Sequence, residues 1–152
     1  SDEMGSAVHA ASLERPVKLM IALEMIGYYD STPGSQDYPS PAMSWAYPDR
    51  GDFIAVVGRM QDINAVRQVK AALLSSRDLS VYSMNAPGFI PGIDFSDHLN
   101  YWQHDIPAVM ITDTAFYRNK QYHLPGDIAD RLNYQKMAQV VDGVTTLLYN
   151  SK

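Results

Sequence analysis

The chain has 152 residues, of which 46% are hydrophobic and 19% charged, and its seventeen acidic and twelve basic residues leave a net charge of −5. That is one domain of globular composition. It has no Lys/Arg cluster to grip a phosphate backbone, no cysteine for disulfides or thiolate chemistry, and no apolar run near the ~20 residues of a membrane span. Nucleic-acid and membrane partners are therefore not expected.

Taken in order, residues 17–23 form an apolar run bounded by Pro16 and Glu24. Residues 27–52 then carry four prolines (Pro33, Pro39, Pro41, Pro48) among Tyr28, Tyr29, Tyr38, Trp45 and Tyr47. So long a connection is usually functional or disordered. Here it reads either as an ordered cover over something or as a crossover packed by its own side chains. A second run, 53–57, lies between Asp52 and Gly58. Ile63, Val66 and Leu73 then recur at helical spacing, with Asp62 placed to cap the start. A weaker strand spans 79–84, and Ser96 is placed to cap a short helix through Trp102. A third run, 108–111, follows Pro107, and Met137, Val140, Val141, Val144, Leu147 and Leu148 stripe a final helix. Continuous apolar runs suit strands covered on both faces. Their alternation with helices predicts an α/β fold over residues 1–152, with a mostly parallel or mixed sheet between helical layers.

Phosphate-loop, Gly-x-Ser-x-Gly and His-Glu-x-x-His signatures are absent, which removes support for phosphoryl transfer and serine hydrolysis. Glu24 stands at the carboxyl end of a strand, where open α/β sheets build their sites. It is a candidate metal ligand, base or cation partner, or a solvated strand-end acid. His123, in Gln-Tyr-His-Leu-Pro-Gly-Asp, is a candidate zinc donor, with Asp127 placed to orient its second ring nitrogen. Asp94, Asp97 and His98 gather at a helix start, where acids are favoured by the free N–H groups. His9 and His104 read as incidental residues on helix surfaces.

Leu-Glu-Met-Ile-Gly-Tyr-Tyr (23–29), Gly-Ile-Asp-Phe-Ser-Asp-His (92–98), Ile-Pro-Ala-Val-Met-Ile-Thr-Asp-Thr (106–114) and Tyr-His-x-x-x-Asp (122–127) together resemble segments of the zinc-dependent aminopeptidases related to glutaminyl cyclase. Met-Gly-Ser (4–6) resembles that family's helix start downstream of a glutamate pair. The resemblance covers nearly the whole chain and implies part of a zinc-exopeptidase fold, its carboxyl-terminal portion. In that family two zinc ions share a bridging Asp and activate water beside a glutamate base.

By this resemblance Glu24 matches an acidic ligand of one metal and His123 the final histidine of the other. Asp97 matches a position behind the site, and Tyr122 and residues 113–119, beginning with Asp113, match the wall of the substrate pocket. The family's first His, bridging Asp and Glu-Glu pair precede the Met-Gly-Ser segment, and Asp2 and Glu3 do not replace the pair. The implied activity is release of amino-terminal residues from peptides. The 152 residues alone are expected to bind zinc weakly or not at all and to lack peptidase activity. An unpaired strand edge beside residues 17–23 is expected to dimerise or to associate with an amino-terminal segment. The family also implies a periplasmic or secreted bacterial location. Two alternatives stand beside the peptidase: a binding module using 27–52 as its recognition surface, and a glutaminyl cyclase-like acyltransferase.

Overall fold

The apolar runs assemble into one four-stranded sheet in the computed structural model, which describes residues 5–87, 90 and 92–150. Asp2, Glu3 and Met4 lie outside the described residues. The strands are β1 (Met20–Glu24), β2 (Phe53–Gly58), β3 (Ser80–Asn85) and β4 (Ala108–Thr112), in the order β1-β4-β2-β3. β1 is parallel to β4 and β2 to β3, while β2 and β4 are antiparallel, so the sheet is mixed. β2 and β4 are buried at every position. Their continuous apolar runs record cover on both faces, not strand direction.

β1 starts three residues later than expected. Pro107 has no N–H, and its carbonyl instead accepts from Met20 N at 2.9 Å, so pairing opens at Met20↔Ala108.

Alternate residues of β2 feed two cores. Ile54 and Val56 pack with Val66, Leu73, Val140 and Leu147 under α2 (Ile63–Leu73) and α4 (Tyr134–Asn150). Phe53, Ala55 and Val57 pack with Met110, Tyr101 and Trp102 on the face carrying α1 (Gly5–Ala11) and α3 (His98–Trp102). The result is the helix–sheet–helix layering read from the sequence. No described helix is long and apolar enough to cross a membrane.

α4 crosses α2 at Gly143, where an added Cβ would stand 2.8 Å from the Leu73 Cα. Backbone cannot swing aside as a side-chain tip can. Gly143→Ala is therefore expected to destabilise the chain by about 1–3 kcal/mol through overpacking, despite the ~1 kcal/mol that alanine gains in a helix. A lowered urea midpoint at unchanged slope checks this.

Two expected caps are used otherwise. Asp62 makes no side-chain cap; it is buried and ion-paired with Arg59 at 2.7 Å. Arg59 also lies over the Trp102 ring and donates to the Trp102 carbonyl, which joins the two helical layers. Ser96 does not cap α3 either, because its hydroxyl is committed elsewhere.

Candidate functional site

Glu24 is the last residue of β1, and Ser96 Oγ donates to its Oε2 at 3.0 Å. In register with Glu24 across the sheet stand Thr112 on β4, then Ala55 on β2, then Tyr82 on β3. All four line one cavity of about 120 Å³. Its floor includes Phe53, Ala55, Val57 and Met110, and Tyr38, Pro39, Met43 and Tyr47 from the 27–52 segment also line it. That segment is thus an ordered cover. An antiparallel bridge between Asp30 and Gly51 closes it at the base, and Tyr47 Oη, donating to the Ser83 carbonyl, fastens it to β3. Burial pushes the Tyr38 phenol up to about 12.

The turn after Glu24 is held from β4. Asp113 N donates to the Met25 carbonyl at 2.6 Å. The Asp113 carboxylate accepts in return from the amides of Gly27, Tyr28 and Ala115. Asp113 is 1% exposed, and burial pushes its carboxyl up to about 6, against those three amides and nearby Arg118. It therefore does not line the cavity; Thr114, Ala115, Phe116 and Tyr117 beside it do. Met25 (φ 54), Thr114 (φ 75) and Ala115 (φ 48) all occupy the left-handed region that non-glycine residues avoid. Such strain, overdetermined by surrounding bonds, concentrates where a site is held in shape.

Arg118 is 3% exposed, a cation inside the cover. It donates to the Gln36 side chain and to the carbonyls of Tyr28 and Phe53, with the Phe53 ring 4.6 Å from its guanidinium. Gly51 leaves room for it, since a Cβ there would fall 2.5 Å from Arg118 Cδ. Gln36 passes the restraint on by donating to Thr114 Oγ1 and the Asp37 carbonyl.

Tyr122 lines the cavity together with Glu24, and the exposed His123 stacks on its ring with centroids 4.1 Å apart. Burial, and then the charges of Glu24, Asp127 and Asp113, raise the Tyr122 phenol above its ordinary value. Asp127 is not the expected orienter of the imidazole: it accepts from the His123 backbone N–H at 3.3 Å and from Asn119 Nδ2 at 2.8 Å. Asp97 accepts from Ser6 Oγ at 2.6 Å and so ties α3 to α1. His98 is a core residue whose Nε2–H donates to the Ile93 carbonyl and whose basicity burial lowers. His9 is not incidental, because its Nδ1 meets Tyr101 Oη at 2.6 Å between α1 and α3. His104 is exposed in the turn that follows α3.

Asp113 and Asp127 are committed to amides, and Glu24 accepts from Ser96. No group of three or more His, Asp or Glu side chains able to hold a metal forms among the described residues. The sequence did not reveal the bonds that Ser96, Gln36 and Arg118 make here, because their partners are distant along the chain.

The architecture is that of bacterial zinc aminopeptidases. The chain superposes on the LapA aminopeptidase of Legionella pneumophila with a TM-score of 0.63, at 20% identity, over 95% of this chain and 35% of that one. For BSAP, a zinc aminopeptidase from Bacillus subtilis, the values are 0.63, 18%, 97% and 32%. For LapB of L. pneumophila they are 0.66, 15%, 98% and 37%. At these identities the likeness establishes the fold. No protein-family model matches the chain. Among curated proteins, the uncharacterized protein YfbL of Escherichia coli K12 is 93% identical over all 152 residues, and the chain spans 47% of its length.

Proposed function

We propose that the chain forms the substrate-receiving half of a zinc-dependent aminopeptidase-like hydrolase. Glu24 and His123 each give one ligand to a metal pair, and the remaining ligands and the general base come from outside the 152 residues. The observation that carries this reading is Glu24, a carboxylate fixed by Ser96 at a strand tip on the wall of an apolar cavity. The terminal side chain of a peptide enters the cavity, and its scissile carbonyl stays outside, near Glu24 and Tyr122. The free edge of β1 receives the rest of the sheet, and the whole protein acts on peptides in the periplasm or outside the cell.

The test uses both the chain and a longer protein such as YfbL. The chain with added zinc is expected to give no turnover of leucine p-nitroanilide above a metal-only blank. In the longer protein, Glu24→Gln is expected to lower kcat/KM at least about 100-fold, the upper end of what changes behind a metal's ligands cost. Full activity in that variant, or no amide hydrolysis by the zinc-loaded longer protein, overturns the reading. A binding module is the second reading, favoured by Trp45, which is 91% exposed on the cover. An inactive longer protein that still binds peptides, and loses them on Trp45→Ala, selects it.

A further inference from the structure

The 27–52 cover is tied down on both sides of its tip. Asp37 N donates to the Tyr117 carbonyl, Tyr38 Oη to the Pro48 carbonyl and Tyr47 Oη to the Ser83 carbonyl. The Tyr38 and Tyr47 rings lie 5.9 Å apart. Between these anchors runs the 3-10 turn Pro41–Trp45, which buries no residue. Among the described residues, the hydrogen bonds of this tip stay within it: Met43 N donates to the Ser40 carbonyl, and the amides of Ala46 and Tyr47 to the Met43 carbonyl. Pro39 and Met43 nevertheless line the cavity, while Trp45 beside them is almost fully exposed. Phe95 and Phe116 line the same cavity with their rings 6.3 Å apart, and both are exposed. Phe95 adjoins Ser96, which is bonded to Glu24 on β1, whereas Tyr47 is fastened to Ser83 on β3. β1 and β3 are opposite edges of the sheet, so the two apolar surfaces stand on opposite walls.

We propose that residues 39–46 are a lid, which shuts the cavity by laying Trp45 across the Phe95–Phe116 pair. Large apolar groups exposed on both walls of one cavity are surfaces that a moving loop can bury. Closure withdraws three aromatic rings from water, and the ordering of the loop opposes it. Opposed terms of this kind leave both forms populated, which is what a two-state element requires. Pro39 and Pro41 restrict the arm, so it moves as a unit about the residues beside Tyr38 and Tyr47. The foot of the arm is close to the landing place, because Asp37 is bonded to Tyr117, the residue after Phe116. The inference concerns entry to the cavity. It holds whether the cavity receives a peptide for hydrolysis or for binding alone.

The chain has no cysteine, so an introduced pair forms no other disulfide. Ser44→Cys with Asp94→Cys places thiols beside Trp45 and Phe95 and leaves all three rings in place. A disulfide needs its Cα atoms within about 7 Å, so this pair traps the closed lid. The control combines Ser44→Cys with Met60→Cys, an exposed position beyond the far end of β2. Under mild oxidation the first pair is expected to link at least about tenfold faster than the control. Trp102, the other tryptophan, is buried. Acrylamide should therefore quench fluorescence several-fold less in the linked form, and dithiothreitol should restore the quenching. Adding Trp45→Ala or Phe116→Ala to the first pair should slow linking about tenfold, because the buried rings hold the lid down. Trp45→Ala alters only an exposed side chain, so the test survives a failure of the Phe116 variant to fold. Equal rates in the two pairs, no disulfide, or a rate indifferent to loss of the rings overturns the lid. A fast-linking pair whose Trp45 stays fully quenched overturns it too, since the loop then moves without seating.

Discussion

Arg118→Met is expected to lower stability by at least about 3 kcal/mol. The methionine keeps the aliphatic stem but strips donors from three acceptors at once: Gln36 Oε1 and the carbonyls of Tyr28 and Phe53. A buried polar group left unpaired costs about 1–3 kcal/mol. A chain of this size holds only about 5–15 kcal/mol in total, so the variant should sit close to its unfolding threshold. Arg118→Lys keeps the charge without the planar fork and should fall between the two. Urea denaturation of the three proteins checks the order, and a loss below 1 kcal/mol in the methionine variant would show that the guanidinium does not hold the cover.

Asp113 carries the second large expectation, a dependence on pH. Its carboxyl titrates at 3.8 when free and at about 6 in the fold, chiefly because burial disfavours the charge. The folded chain therefore holds this proton over a range where the unfolded chain has released it. The group's contribution to stability is complete well below pH 3.8 and is lost as pH rises through about 6, by about 3 kcal/mol in all. Asp113→Asn abolishes the titration but turns an N–H donor toward amides that need acceptors, so it should be less stable at every pH. Its deficit should nevertheless shrink by about 2 kcal/mol between pH 4 and pH 6.5, read from paired urea curves. A constant deficit would mean that the three amides and Arg118 hold the carboxyl near its ordinary value.

The two residues are coupled. Arg118 lowers the Asp113 titration, so removing the guanidinium should move it further up.

These residues also mark where sequence reading ran out. β2 and β4 are visible as local apolar runs because both of their faces are buried, and α2 and α4 because their stripes repeat within a few turns. Glu24 is visible because it ends such a run. Strand direction is not, since a buried strand has the same composition whichever way its partner runs. Ser96 and Asp62 each satisfy the local rule for a helix cap, yet each is spent on another bond, one of them to a partner 72 residues away. Arg118 falls within the 113–119 segment that resembles a pocket wall, but nothing local marks it as buried. Its burial depends on Gly51, Gln36 and Phe53 coming together from separate segments.

The strand order also governs how the polypeptide is made. β4 separates β1 from β2, and its partner Met20 precedes Ala108 by 88 residues. Neither earlier strand has its final neighbour on that side until β4 emerges from the ribosome. At about 5–20 residues per second the wait is about 4–18 s. For the last 55 residues of it, from Val56 to its partner Ile111 and so about 3–11 s, the segment Phe-Ile-Ala-Val-Val-Gly, uncharged and free of proline, offers a bare ladder of amides and carbonyls to any passing nascent strand. Holdase chaperones that mask short aliphatic stretches should therefore raise the yield of native protein more than agents that act after synthesis is complete.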